Sequence, residues 1–305
     1  MTSTAIDAAA RLLGALASRD APLGARTTYR VGGTAALFVV ARAVTDLRRV
    51  RTAVMETNLD VLVIGKGSNM LVADAGFDGL ALTLEDELAD VRIDAASAHV
   101  TAGGGRSLPE VARRAASAGV GGLEWAVGIP GSVGGAVRMN AGGHGSDVAS
   151  NLVSYTFVDL RGGADGERTV ADLAASYRHT SVRSAHVVTS ATFAGEPCDP
   201  AHAEAKISEI VRWRRENQPG GQNAGSVFTN PEGDSAGRII DACGLKGLRI
   251  GSAEVSPKHA NFIQADAGGR ADDVRALIAE LQRRVRDATG VELTTEVRMI
   301  GFHAP

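Results

Sequence analysis

Apolar residues along this chain follow two rhythms. At helical spacing they mark residues 45–57, where Leu47, Val50 and Val54 fall on one face. They do so again over 271–289, where Val274, Leu277, Ile278, Leu281 and Val285 form a stripe ended by Gly290. Helices are also expected over 5–17, rich in alanine and leucine, and over 203–217, with Ile207, Ile210 and Val211 on one face. Another is expected from a capping pattern of Ser107 and Glu110, with Pro109 in the first turn, to about Ala118, closed by Gly119. A short one over 235–243 is stopped by Gly244. Strands are expected at 35–41, 60–64, 70–73, 80–84, 91–94, 99–102, 153–160, 186–193, 260–265 and 292–300. Residues 161–167 are expected as a polar turn and residues 197–200 as a boundary, and the plain reading of Tyr29 and Arg30 is a strand surface.

Residues 121–145, GGLEWAVGIPGSVGGAVRMNAGGHG, break both rhythms. They hold nine glycines, against 37 in all 305 residues. So few side chains promise little core packing, and glycine loses more entropy on folding than other residues. The expected reason is close approach of backbone N–H groups to a phosphate-bearing ligand. A second cluster, Gly65-Lys66-Gly67-Ser68-Asn69, follows the apolar run 60–64 and precedes the extended run 70–73. It lacks the following helix and the spacing of a dinucleotide fingerprint. Two readings remain, an anion-binding nest of successive N–H groups and a plain hairpin turn.

Length adds that two or more domains are expected. A net charge of −3 and an aromatic content of 4% give no case for nucleic acid or a membrane surface as partner. Cys198 and Cys243 stand far apart and match no metal spacing, so no metal is expected. A reducing, cytoplasmic setting is the simplest expectation, with no signal peptide and no apolar run near the ~20 residues of a membrane span.

GKGSN at 65–69 followed by GIPGSVGGAVRMNAGG at 128–143 resembles the flavin-binding part of the UDP-N-acetylenolpyruvoylglucosamine reductase (MurB) family of peptidoglycan synthesis. Thr27-Thr-Tyr-Arg-Val-Gly-Gly33 resembles that family's entry into the domain, and the likeness covers nearly the whole chain. It implies an α+β protein: a two-subdomain FAD-binding fold of the vanillyl-alcohol-oxidase/PCMH type plus a C-terminal α+β substrate domain. The subdomains are expected at 1–84 and 85–198 and the substrate domain at 199–305, its last strand returning to the flavin. The resemblance implies FAD with NADPH as co-substrate; the paired glycine clusters and the lack of a strong attachment motif point to non-covalent FAD, and a monomer is expected. FAD is expected along Gly65, Lys66, Gly67, Ser68, Asn69 and Met70, the first segment holding its pyrophosphate. It is also expected along Gly128, Ile129, Pro130, Gly131, Ser132, Gly134, Gly135, Asn140, Ala141 and Gly142.

Three further segments match family positions that carry catalytic residues. Arg178, in Ser176-Tyr-Arg-His179, matches the arginine that stabilises the intermediate; Ser176 stands where glycine is common. Ser226, in Ala224-Gly-Ser-Val-Phe-Thr-Asn-Pro231, matches the proton donor, and Glu296, in Thr295-Glu-Val-Arg298, the catalytic glutamate. Tyr177, Asn230 and His259, the last in Ser256-Pro-Lys-His-Ala-Asn-Phe-Ile263, are expected at the substrate. The implied reaction converts UDP-N-acetylglucosamine enolpyruvate to UDP-N-acetylmuramate, with an enolate forming beside the carboxylate. A fixed cation stabilises such charge in a dry site. The plain alternatives are a surface arginine, a turn serine and an outward strand carboxylate. His144 stands where an alanine-tyrosine pair is frequent in the family, and a covalent flavin link there is the alternative to non-covalent binding. His179 and His186 are read as solvent-facing, and the residues themselves give no account of Arg138. Two rival functions stay open: an FAD oxidase of the same fold, and a non-catalytic sugar-nucleotide binding protein.

Overall fold

The computed structural model describes residues 2–302. The chain divides into two compact units. The first takes the chain up to Arg19, then Ala36–Lys66 and Asp78–Arg214; the second takes Asp20–Ala35, Gly67–Phe77 and the chain from Arg215 onward.

The first unit has two layers of core. A four-stranded sheet runs in the order Ala17–Pro22, Thr34–Ala41, Phe77–Leu84, Val61–Val63. The helices Thr2–Leu13 and Val44–Thr57 contribute to its core, where Leu13, Leu47, Val50 and Val54 meet Leu37, Leu80 and Leu82. A five-stranded antiparallel sheet runs in the order Gly166–Thr169, Leu152–Asp159, His186–Ala194, His99–Gly103, Val91–Asp94. Thus part of the expected polar turn 161–167 is strand, paired with Leu152–Asp159 from Ser154 to Phe157.

The glycine-rich stretch differs from its expectation. It forms a 3-10 helix, Glu124–Gly128, and a short α-helix, Val133–Met139. Trp125, Val127, Val133, Ala136 and Val137 are buried in the same core as Val188 and Phe193. Val133, Ala136 and Val137 lie at i, i+3 and i+4, so one face packs despite the glycines. Helix Leu108–Ser117 starts at Ser107 as expected, but Ser107 makes no side-chain cap bond, and Glu110 instead binds Arg106 at 2.9 Å.

In the second unit, helix Ala271–Thr289 lays its predicted stripe into a core shared with the antiparallel strands Ala253–Val255 and Ile263–Ala265. Its last turn ends where the Gly290 N–H bonds the Arg286 carbonyl at φ +75°. Tyr29, Val31 and Leu71 complete this core. Tyr29 is therefore fully buried, not on a strand surface, while Arg30 stands exposed at φ +55°. The expected strand 292–300 is shorter: Arg298–Ile300 pairs in parallel with Met70–Val72, and before it Thr295 makes an isolated bridge with Phe228.

Candidate active site and cofactor cradle

The first glycine turn is not a hairpin. The strand before it, Val61–Val63, pairs with Phe77–Leu84, whereas the strand after it, Met70–Val72, pairs with Arg298–Ile300. Gly67 holds φ +61°, and a Cβ there would meet the Thr27 Cα at 2.5 Å. The Gly67 carbonyl accepts from the Thr28 N–H at 3.1 Å. Glycine is required at this point by both backbone conformation and close approach.

Through the turn, the backbone N–H groups of Gly65, Lys66, Gly67, Ser68 and Asn69 bond no other described residue. Successive free N–H groups around a left-handed residue make an anion-binding concavity. This is the fit expected for a pyrophosphate, and it favours the nest over the bare turn. The helix Val133–Met139 is different. Its first N–H groups are occupied: Val133 by the Arg106 carbonyl at 2.9 Å, Gly134 by the Gly104 carbonyl at 2.8 Å, Gly135 by the Ser132 hydroxyl at 3.2 Å. Ser132 is thus its N-cap. Within the first unit Gly65 also packs against Ser132, so closely that a Cβ on Gly65 would overlap the Ser132 hydroxyl.

Asn140 ends that helix in the left-handed region at φ +40°. Its amide nitrogen donates to Asp147 at 3.0 Å and to the Ser176 carbonyl at 3.2 Å, and its oxygen accepts from the Ala149 N–H at 2.9 Å. Ser176 opens a tight turn whose tip is Tyr177 and Arg178. Tyr177 is 58% exposed. Arg178 lies over the Tyr177 ring and donates to the Gly142 carbonyl at 3.0 Å. Arg178 sits at φ +57°, a conformation that costs a side-chain-bearing residue of order 1 kcal/mol. The guanidinium is therefore fixed on the end of the glycine stretch by two bonds, one through Asn140 and one of its own.

Arg138, unexplained by sequence, bonds the Arg183 carbonyl at 3.4 Å, while its own carbonyl accepts from Thr180 at 2.7 Å. It steadies the segment following the Arg178 turn. His144 packs edge-on to Trp213 at 5.2 Å, and its ring lies 2.7 Å from where a Gly128 Cβ would be. Burial, then Arg214, holds its pKa below the usual imidazole range. His179 is exposed, but His186 is not solvent-facing: its ring stacks on Phe157 at 4.5 Å and lies 3.4 Å from Asp159.

The second unit brings Ser226 and Glu296 onto neighbouring backbone segments. The Glu296 N–H donates to the Val227 carbonyl at 2.8 Å, Phe228 bridges Thr295, and the Thr229 N–H donates to the Thr294 carbonyl at 2.9 Å. Both side chains are half-buried. Asn261 holds the Ser226 segment from behind: its own carbonyl accepts from Val227, and its side chain exchanges two bonds of 2.9 Å with Phe228. Sequence reasoning passed over Asn261, although it lies in the segment quoted for His259. An asparagine amid apolar residues was the available signal, since a buried amide must find partners.

His259 packs on Phe262 at 4.7 Å, and burial lowers its pKa. Asn230 is exposed, with its side-chain oxygen accepting from the Ala236 N–H at the start of helix Ala236–Ala242. Asn69 turns its side chain to Glu296, as described below.

Residues 35–164 match a family model for an FAD binding domain, and residues 217–300 match one for the C-terminal domain of UDP-N-acetylenolpyruvoylglucosamine reductase. A UDP-N-acetylenolpyruvoylglucosamine reductase of Synechococcus sp. (strain WH7803) is 43% identical over 93% of either chain. One of Chloroflexus aurantiacus is 38% identical over 92% of this chain and 96% of its own. The crystal structure of the Thermus caldophilus enzyme superposes with a TM-score of 0.80 at 33% identity, covering 92% of this chain and 98% of that one. On these matches and this fold, the chain belongs to the UDP-N-acetylenolpyruvoylglucosamine reductase family.

Proposed function

We infer that the chain is an FAD-dependent UDP-N-acetylmuramate dehydrogenase, which reduces UDP-N-acetylglucosamine enolpyruvate with NADPH in peptidoglycan precursor synthesis. The observation that carries this reading is likeness to reductases over 93% of the chain, with the two family models matching residues 35–164 and 217–300. Bound FAD supplies the hydride, which NADPH delivers to it.

The remaining work falls to the chain. The unpartnered N–H groups of residues 65–69 are the proposed hold on the FAD pyrophosphate. Arg178 presents a fixed cation, already anchored on the Gly142 carbonyl, to charge that develops on the substrate carboxylate side. Ser226 gives a proton to the carbon beside that carboxylate, and Glu296 shares a proton with the enolate rather than facing it as a bare carboxylate. Tyr177, Asn230 and His259 are proposed substrate contacts. Asn230 has a lone pair already engaged, so its free amide hydrogens are the groups it offers.

The proposed subtype is the one without a tyrosine-bearing loop over the substrate. The chain has three tyrosines, at 29, 155 and 177, and none between 179 and 225. Much of that span is strand His186–Ala194 and helix Pro200–Asn217. The proposed state is a monomer. No helix among the described residues is long and apolar enough to cross a membrane.

The test is anaerobic. The purified protein is expected to be yellow, to bleach with NADPH, and to recover its colour on adding the enolpyruvyl substrate with formation of UDP-N-acetylmuramate. Recovery with oxygen but not with that substrate favours an oxidase; nucleotide binding without bleaching favours a binding protein.

A further inference from the structure

We propose that Asn69 is a positioning residue for Glu296. The proposal rests on the reading of Glu296 as a proton-handling group in the reductase. Both backbone polar groups of Glu296 are occupied. Its N–H donates to the Val227 carbonyl at 2.8 Å, and its carbonyl accepts from the Asn69 side chain at 3.1 Å. Only the amide nitrogen of asparagine can donate, so the Asn69 side-chain orientation follows from its partner. Two residues beyond Glu296, the Arg298 N–H donates to the Asn69 carbonyl at 3.1 Å, opening the parallel ladder of Met70–Val72 with Arg298–Ile300.

Asn69 thus grips the strand of Glu296 twice, across 227 positions of sequence. The peptide groups on both sides of the Glu296 Cα are pinned, which restricts its backbone rotation and sets the direction of its side chain. The opposite side is set by Val227, whose preceding residue is Ser226. Asn69 and Val227 together fix how the glutamate faces relative to the serine segment. The Asn69 N–H remains one of the five without a described partner, so a single residue serves the cradle with its backbone and the glutamate with its side chain.

The two tasks separate experimentally, because substitution removes only the side chain. In Asn69→Ala, FAD affinity of the apoprotein and the rate of flavin reduction by NADPH are measured first, as the readouts of the cradle. Reoxidation by the enolpyruvyl substrate is expected to fall by ~10–100-fold, the scale on which displacing a reacting group acts. Asn69→Asp, of the same size, repeats the test should the alanine variant not fold, and is expected to be at least as slow because a carboxylate faces the Glu296 carbonyl. Hydrogen exchange of a peptide covering residues 294–300 is expected to accelerate in both variants. Normal reoxidation would overturn the proposal, as would loss of FAD affinity with both half-reactions falling together. Glu296→Gln, measured beside them, separates the two readings. A slow Glu296→Gln with a fast Asn69→Ala rejects the role of Asn69 alone. A fast Glu296→Gln rejects the glutamate's role, and the proposal with it.

Discussion

The Val227 carbonyl accepts the Glu296 N–H at 2.8 Å, so the residue after Ser226 is bonded directly to the glutamate. Two motifs separated by seventy positions are thereby held as one backbone arrangement within the second unit. Ser226→Ala is expected to divide the catalytic cycle. Flavin reduction by NADPH needs no protein acid and should keep its rate. Positioned proton transfer contributes about 10²–10⁴-fold, so reoxidation by the enolpyruvyl substrate should slow at least about a hundredfold. Ser226→Cys should recover much of the loss, a thiol of pKa ~8.5 being the better acid. Anaerobic stopped-flow on each half-reaction decides it; unchanged reoxidation in Ser226→Ala removes the serine as donor.

FAD is expected to leave the protein on acid precipitation and appear free in the supernatant. The His144 ring packs between Trp213 and the Gly128 backbone, and its positive φ of +54° already fixes its direction. Flavin retained on the precipitated chain, and lost in His144→Ala, would establish a covalent link instead.

Asn261→Ala should cost about 2–4 kcal/mol. Asn261 and Phe228 are 3% and 1% exposed, and the substitution strands both the N–H and the carbonyl of Phe228. Each buried group without a partner costs about 1–3 kcal/mol. Urea unfolding of the apoprotein measures this, and a change under 1 kcal/mol contradicts it.

Tyr29→Phe should stabilise the apoprotein by about 1 kcal/mol. The Tyr29 hydroxyl is buried with no hydrogen-bond partner among the described residues, and burial pushes its pKa far up. Removing it leaves the ring packing intact. A lower unfolding midpoint in Tyr29→Phe would mean that the hydroxyl has a partner in solution.

Stability should decline as pH falls from about 7 toward 5. His144, His186 and His259 are each held below the usual imidazole pKa, burial being the largest cause in every case. The unfolded chain then binds protons more readily than the folded one. The contribution is complete above the unfolded value of ~6.5 and is lost as pH falls toward the folded values. Thermal midpoints across that range test it, and His186→Gln should flatten the slope.

Periodicity by itself determined the helix Ala271–Thr289 to the residue, because a long stripe of five apolar side chains and a glycine stop are local signals. The motifs around Ser226 and Glu296 were legible only as a resemblance to a family, each being a short string of distinctive residues. The helix Val133–Met139 was hidden, since glycine content reads as loop while three small apolar residues suffice to seat one turn against a strand. What the chain could not announce is the path of residues 67–77, which leave the first unit after Lys66 and join the second. That choice depends on the parallel pairing of Met70–Val72 with Arg298–Ile300 and on the Asn69 bond to Glu296. Pairing between strands so distant in sequence leaves no periodic trace in either one. Only the folded backbone decides which N–H and carbonyl groups meet, because every strand carries the same ones.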